Sequence, residues 1–296
     1  MNIIKEKNMT GVVGYTELKK PSVRIFHLAI GLILILHIVV FLLPLLWLIL
    51  SAFKSTKEFL QIPPTLWPEK FHWEYIPKVW NRCKFGRAYI NTALLAAGSC
   101  FFNITFNGLT GYVLSRLKPK GSAIVNTIIF WMLLLPSGMS TVPLYMTFTN
   151  FPILHISLNN TFWPFWLPAM FNCFNILLFK SFFNGISTTY LEAARIDGCG
   201  NLRAFIKIIL PLSKPIVITQ IVFGINGSMN NFFFPLLLLT RDELKPIALK
   251  LYALKGQLVE NEYLLALLIV TAIASVIFLI FQKYIMQGMN LGGIKE

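Results

Sequence analysis

The stretch Thr189-Tyr190-Leu191-Glu192-Ala193-Ala194-Arg195-Ile196-Asp197-Gly198, continuing to Ile208-Ile209-Leu210-Pro211, is a polar island in a chain that is otherwise mostly apolar. Its pattern is Glu-Ala-Ala, three residues, Gly, nine residues, then Ile-x-Leu-Pro. Thr189 and Glu192 have the spacing of a capping box, which predicts a short helix starting near Tyr190. Ala193 and Ala194 are strong helix formers with almost no side chain, so another surface can come close to the backbone there. Gly198, followed by Cys199-Gly200, can turn the chain at positive φ. A second helix is predicted over 201–209, carrying Arg203 and Lys207, and Pro211 and Pro215 suit the entry to a further helix. Local physics alone fits an amphipathic interfacial hairpin equally well.

Outward from this island the chain is a membrane protein. Of 296 residues, 56% are hydrophobic and 13% charged, with a mean hydropathy of +0.67, against about 25% charged in a soluble domain. The net charge of +14 does not indicate nucleic acid, because the Lys and Arg residues flank apolar runs instead of lining one face. Cys83, Cys100, Cys173 and Cys199 form no CxxC pair and no metal-like spacing, so they read as unpaired and structural.

Residues 1–24 form a basic tail with Lys5, Lys7, Lys19, Lys20 and Arg24. Residues 25–50 carry no charge, and at about 1.5 Å per residue they exceed a hydrocarbon core of about 30 Å. They read as an uncleaved first span, with His27 and His37 as packed or interfacial residues. A polar and aromatic loop, 51–88, carries Trp67, Trp73 and Trp80, residues suited to a membrane–water boundary, and suggests a small cap outside the membrane. Further spans are predicted at 89–114, 123–147, 160–183, 215–240 and 263–282. Pro136, Gly138 and Pro143 predict a break in the third. Lys and Arg lean toward the side of the termini and the 184–214 loop, which favours that side as cytoplasmic.

Chemistry-bearing motifs are absent. There is no phosphate loop of the form G-x-x-x-x-G-K-[ST], no H-E-x-x-H, no G-x-S-x-G and no His/Cys cluster. His27, His37, His72 and His155 are scattered. No catalytic residue and no metal ligand is assigned, and the chain is read as no enzyme. The predicted spans hold no Asp or Glu, and Lys180 is their one Lys. Ion-coupled carriers commonly place ionisable groups at that depth. A path without carboxylates suits a neutral, hydroxyl-rich solute moved by energy from elsewhere.

The fifth span has a polar centre of Asn226, Ser228, Asn230 and Asn231, followed by Phe232. Asn226 and Asn230 share a helix face, and an unpaired amide in hydrocarbon is costly. Two readings stand side by side. One is a path lining whose amides bond sugar hydroxyls while Phe rings stack on sugar faces. The other is interhelical packing around Gly224 and Gly227. For Asn91, Thr92, Asn103 and Asn107 in the second span, interhelical bonding is the expectation.

The Glu-Ala-Ala pattern resembles the cytoplasmic EAA loop of the membrane subunits of bacterial ABC importers. From about residue 25 onward the chain is similar to the carbohydrate-uptake, maltose-permease-like branch. Tyr89-Ile90-Asn91-Thr92 looks like that branch's entry to span two, and Tyr112-Val113-Leu114-Ser115-Arg116 like its exit. Met229-Asn230-Asn231-Phe232 stands where the branch has Trp-Asn-Asp-Phe, and Gln282-Lys283-Tyr284 with Gly288 also fits. The nearest likeness is to permeases for pectin or rhamnogalacturonan fragments.

The resemblance implies an all-α integral membrane protein with six transmembrane helices and the type I ABC importer permease fold. Its transmembrane domain would cover 25–283, with the coupling helix in a cytoplasmic loop at 184–214. Tails 1–24 and 284–296 would be cytoplasmic, and the chain would lie in the bacterial plasma membrane. Implied partners are a second permease subunit in a heterodimer, two ATP-binding subunits holding ATP and Mg, an extracytoplasmic solute-binding protein and a carbohydrate substrate. No cofactor is implied on this chain. Glu192 would orient the docked helix, Ala193 and Ala194 would form the close contact, Arg195 and Asp197 would flank it, and Gly198 would make the turn. The alternatives are an ion-coupled secondary carrier and a polytopic membrane protein of another kind.

Overall fold

The computed structural model describes residues 21–290, Ile153 excepted. The expected tail at 1–24 lies almost wholly outside the described residues, as do 291–296 of the expected C-terminal tail. The chain divides into two units, 1–72 and 73–296.

The first unit is built on the helix Pro21–Ala52, whose apolar run Ile25–Ala52 is long enough to cross a membrane. His37 Nδ1 bonds its own turn at the Ile33 carbonyl (2.9 Å). Beyond the helix a compact turn is held by buried charges. The Lys54 ammonium lies over the Trp47 ring at 4.9 Å and donates to the Thr65 carbonyl. Glu58 accepts from the Thr65 hydroxyl (3.0 Å) and the Glu69 amide (2.9 Å). Burial of each group is offset by these bonds.

In the second unit Phe85–Leu117 and Glu260–Gln282 are also long and apolar enough to span. Three bent pairs supply up to three more spans: Ser122–Leu133 with Gly138–Thr149, Trp163–Ala169 with Cys173–Asn184 at 42°, and Asn201–Leu212 with Lys214–Asn230 at 81°. The six expected spans therefore have six counterparts among the described residues. The third breaks at Pro136, as predicted, because the ring removes a donor and clashes with the preceding turn.

Two breaks were not predicted. The fourth span, expected unbroken over 160–183, is interrupted at 170–172. The fifth, expected over 215–240, stops at Asn230; Asn231 is extended (ψ 109°), and a short helix, Phe233–Leu238, follows. The sixth helix runs beyond the predicted 263–282, from Glu260 to Asn290.

The break in span four is held by the asparagines of span two. The Asn107 side chain donates to the Ala169 carbonyl (2.8 Å) and accepts from the Asn172 amide (2.9 Å). It thus takes up backbone groups freed on both sides of the interruption. Asn107 also donates to Asn103 (2.6 Å), which accepts from Asn175 (3.0 Å) and donates to Gln220 of span five (3.0 Å). Residues 103–107 form a π turn. Asn91 donates to the Glu243 and Lys245 carbonyls (2.8 and 3.1 Å), and Thr92 accepts from the Ile247 amide (2.9 Å). All four side chains make interhelical or helix–loop ties, as expected of them.

Within loop 51–88, the helix Tyr75–Arg82 packs on the start of the sixth span. Glu262 is buried and pairs with Arg82 (2.6 Å) and Lys78 (3.2 Å). In the 241–262 loop, Lys250 donates to both oxygens of Asp242 (2.8 and 2.7 Å), and Lys245 lies at 3.4 Å. The Lys250 bonds hold the Asp242 carboxyl below the usual carboxylate range. A carboxyl depressed on folding stabilises above its unfolded pKa, and that contribution is lost as pH falls through the lower folded value. Asp242→Asn is therefore expected to lower the melting temperature equally at pH 7 and pH 5. The gap to wild type should close only below the ordinary carboxylate range of about 3.9. Thermal melts of the purified chain across pH measure this.

Candidate functional site

The polar island folds as a helix–turn–helix. The first helix is Thr189–Ile196. The expected capping box does not form: Thr189 is the first helical residue, Thr188 precedes it, and no cap side-chain bond is made. Instead the Thr189 hydroxyl pairs with Ser187 Oγ (2.6 Å), which also accepts the Thr189 amide. A nearer hydroxyl won the competition for the orphan amides.

Gly198 sits at φ +72°, the left-handed conformation its missing Cβ permits, whereas Gly200 is extended. The second helix runs past the predicted 209 to Leu212. Pro211 lies in its last turn and not at the entry to the next helix; the π turn Phe205–Ile209 just before it relaxes the bonding pattern a proline breaks. Pro215 does open the fifth span.

The face of this hairpin is exposed. Glu192, Ala193, Arg195, Asp197 and Gly198 are all exposed, and Ile196 is 87% exposed. Ala194 is nearly covered by its own chain. Ser187, Tyr190, Ala193, Ala194, Asp197 and Ile208 border an open cavity of about 560 Å³. An exposed apolar side chain beside an alanine step and a concavity is a surface suited to a partner. Behind it, Leu191 is buried in a cluster with Tyr112, Phe179, Phe183, Phe205 and Ile216, so the hairpin is anchored to spans two, four and five.

A cavity of about 670 Å³ lies among spans two to five. Ser228 and Asn231 line it, with Ser99, Ser140, Thr141, Asn172 and the rings of Phe165, Phe233 and Phe234. Among the described residues, no ionisable side chain borders it. The other expected path residues are elsewhere. Asn230 donates to the Asn226 carbonyl and side-chain oxygen (2.9 and 2.8 Å), and both border a separate cavity of about 200 Å³ against the sixth span. Phe232 packs on Tyr252 at 5.2 Å. Asn231, the residue after Asn230, stands about 100° around the helix axis from the face of Asn226 and Asn230. Ser99 and Asn172 are single polar residues among apolar neighbours, and Ser140-Thr141 is a short polar pair beside the break at Pro136. Tertiary folding alone collects them.

The family described as "Binding-protein-dependent transport system inner membrane component" matches residues 107–291. The chain belongs to that family. A relative, "Probable ABC transporter permease protein YurM" of Bacillus subtilis, is 30% identical over 90% of this chain and 88% of its own length. "Diacetylchitobiose uptake system permease protein NgcG" of Streptomyces coelicolor is 28% identical over 88% and 86%. In fold the chain is similar to a subunit in a crystal structure of a bacterial ABC transporter involved in the import of the acidic polysaccharide alginate. That likeness has a TM-score of 0.75 and 23% identity, covering 90% of this chain and 98% of the other.

As an inner membrane component the chain is a multi-pass plasma membrane protein with the type I importer permease fold. The family match begins at Asn107, inside the amide network, and takes in the helix–turn–helix with most of the large cavity's lining.

Proposed function

We propose that this chain is one permease subunit of an ABC importer that moves an oligosaccharide, of the pectin or rhamnogalacturonan type, using ATP hydrolysed by a separate subunit. The observation that carries the reading is the exposed face at 190–198, anchored through Leu191 to three spans. In this reading Glu192 orients the helix in an ATPase cleft, Ala193 makes the closest approach with Ala194 behind it, and Arg195 and Asp197 flank the contact. Gly198 holds the turn. The loop 184–214 and the tails 1–24 and 284–296 face the cytoplasm, with 25–283 as the transmembrane domain.

A second permease subunit completes the path as a heterodimer. Two ATP-binding subunits hold ATP and Mg, and an extracytoplasmic binding protein delivers the sugar. The chain itself catalyses nothing. Closure of the ATPases moves the spans as semi-rigid bodies, and the coupling is reciprocal, so a loaded binding protein stimulates hydrolysis. Support for a carbohydrate comes from this cavity, where hydroxyls, amides and aromatic rings meet, and from the uptake role in the name of a relative; its uncharged lining serves the hydroxyls and sugar faces of such a fragment and offers no cation to its galacturonate carboxylates.

Tagged chain purified from membranes in mild detergent is expected to bring down a second six-span permease and an ATPase. Proteoliposomes of that complex with its binding protein should take up pectin-derived oligosaccharides only with internal MgATP. A chain that emerges alone under several gentle conditions would sink the importer reading. Uptake that persists without ATP and collapses with an ionophore would point to an ion-coupled carrier instead.

A further inference from the structure

Arg116 stands at the end of the second span, in the π turn Val113–Leu117, and is half-buried. Its Nη2 donates to two carbonyls, those of Phe183 and Ile186. Phe183 lies in the last turn of the helix Cys173–Asn184, where carbonyls lack intrahelical donors and a cation is favoured. Ile186 lies just past that end, three residues before the helix Thr189–Ile196 begins. One guanidinium therefore holds the end of span four together with the start of the three-residue lead into the docking helix.

The aromatic packing around the junction points the same way. Tyr112, one turn before Arg116, lies against Phe205 at 5.3 Å, and Phe183 meets Phe205 at 6.4 Å. Gly111 lets the two spans approach: a Cβ there would meet Phe179 Cβ at 2.8 Å and the Lys180 amide nitrogen at 3.0 Å. The cytoplasmic-loop hairpin thus has a stiff mount made of the ends of spans two and four, and Arg116 is the polar tie across it.

We infer that Arg116 is a positioning residue that fixes the docking helix to spans two and four, so that displacement of the helix is passed to both. The inference rests on the docking role proposed above. Arginine suits the task because one nitrogen carries two donors on a planar group that stays charged. Neither carbonyl is part of the exposed face, so loss of the tie would loosen transmission without removing the docking surface.

The test is hydrogen exchange on the purified importer complex with and without MgATP, in wild type, Arg116→Ala and Arg116→Lys. In wild type, amides at 187–196 and at 105–117 should change protection together on adding MgATP. In Arg116→Ala the ATPase should still co-purify and the change at 187–196 should persist, while the change at 105–117 falls several-fold. Arg116→Lys, with one cation at the same place, should restore much of it. A merely structural role would instead reduce protection along the whole chain, with no rescue by lysine. That result overturns the inference, as does a joint change in Arg116→Ala equal to wild type. If residues 187–196 of wild type do not respond to MgATP at all, the docking reading falls and takes this inference with it. If they respond but 105–117 do not, the inference alone fails.

Discussion

A chain carrying both Glu192→Lys and Gly198→Pro should reach the membrane in normal amount and support no uptake above background. Proline requires φ near −65°, whereas residue 198 sits at +72°. The turn must therefore reopen, and the exposed face at 190–197 loses its setting relative to the second helix. The charge reversal at Glu192, which is exposed, acts on the partner side without touching the core. The anchoring residues behind the turn, Leu191 and Phe205, are unaltered, so insertion and overall fold should survive. Membrane blots paired with uptake assays, and recovery of the ATPase with the tagged chain, measure this. Normal uptake by the double variant would remove the docking role assigned to this loop.

Asn107→Leu should have the largest effect on stability. Asn107 is fully buried, and it serves the Ala169 carbonyl, the Asn172 amide and Asn103 at once. Leucine fills a similar volume but leaves the Ala169 carbonyl and the Asn172 amide without this partner, each costing about 1–3 kcal/mol, while Asn103 keeps Asn175 and Gln220. If half of that is recovered by local shifts, about 2 kcal/mol is lost, a fall in melting temperature of about 3 °C for a chain of this size. Asn107→Gln, which keeps both polar functions on a longer stem, should lose less. Fluorescence-detected melting of the purified chain in detergent measures both. A leucine variant as stable as wild type would show that the break in span four is satisfied in some other way.

The same residue shows where sequence reading reaches its limit. Pro136 announced the break in span three because its effect is local: a missing donor and a ring clash. The break at 170–172 has no such mark. Its freed backbone groups are served by a side chain more than sixty positions earlier, and no local pattern records that pairing. Gly198 was legible because its conformation is one that few residues adopt. The capping box at Thr189 misled because Ser187 and Thr188 offered competing hydroxyls within two residues. In the fifth span the spacing of Asn226 and Asn230 correctly put them on one face, and they bond each other there. Ser228 and Asn231 line the cavity of about 670 Å³ with Gly224 and Gly227, on a second face of the same helix set by three- and four-residue steps.

The π turn at 103–107 also bears on how this chain can vary. A π turn holds one residue more than the α-helix around it needs, and one residue of α-helix corresponds to a rotation of about 100°. Taking one residue out at 104–106 would let the turn close to regular winding with Gly108 to Leu117 kept near their present angle, and Tyr112 and Arg116 would still face Phe205 and the two carbonyls. Without that slack the same change would turn everything beyond it by about 100° and carry Arg116 off its partners. The π turn is thus reserve length in the second span, where a one-residue change can be absorbed with the mount of the helix–turn–helix left in place.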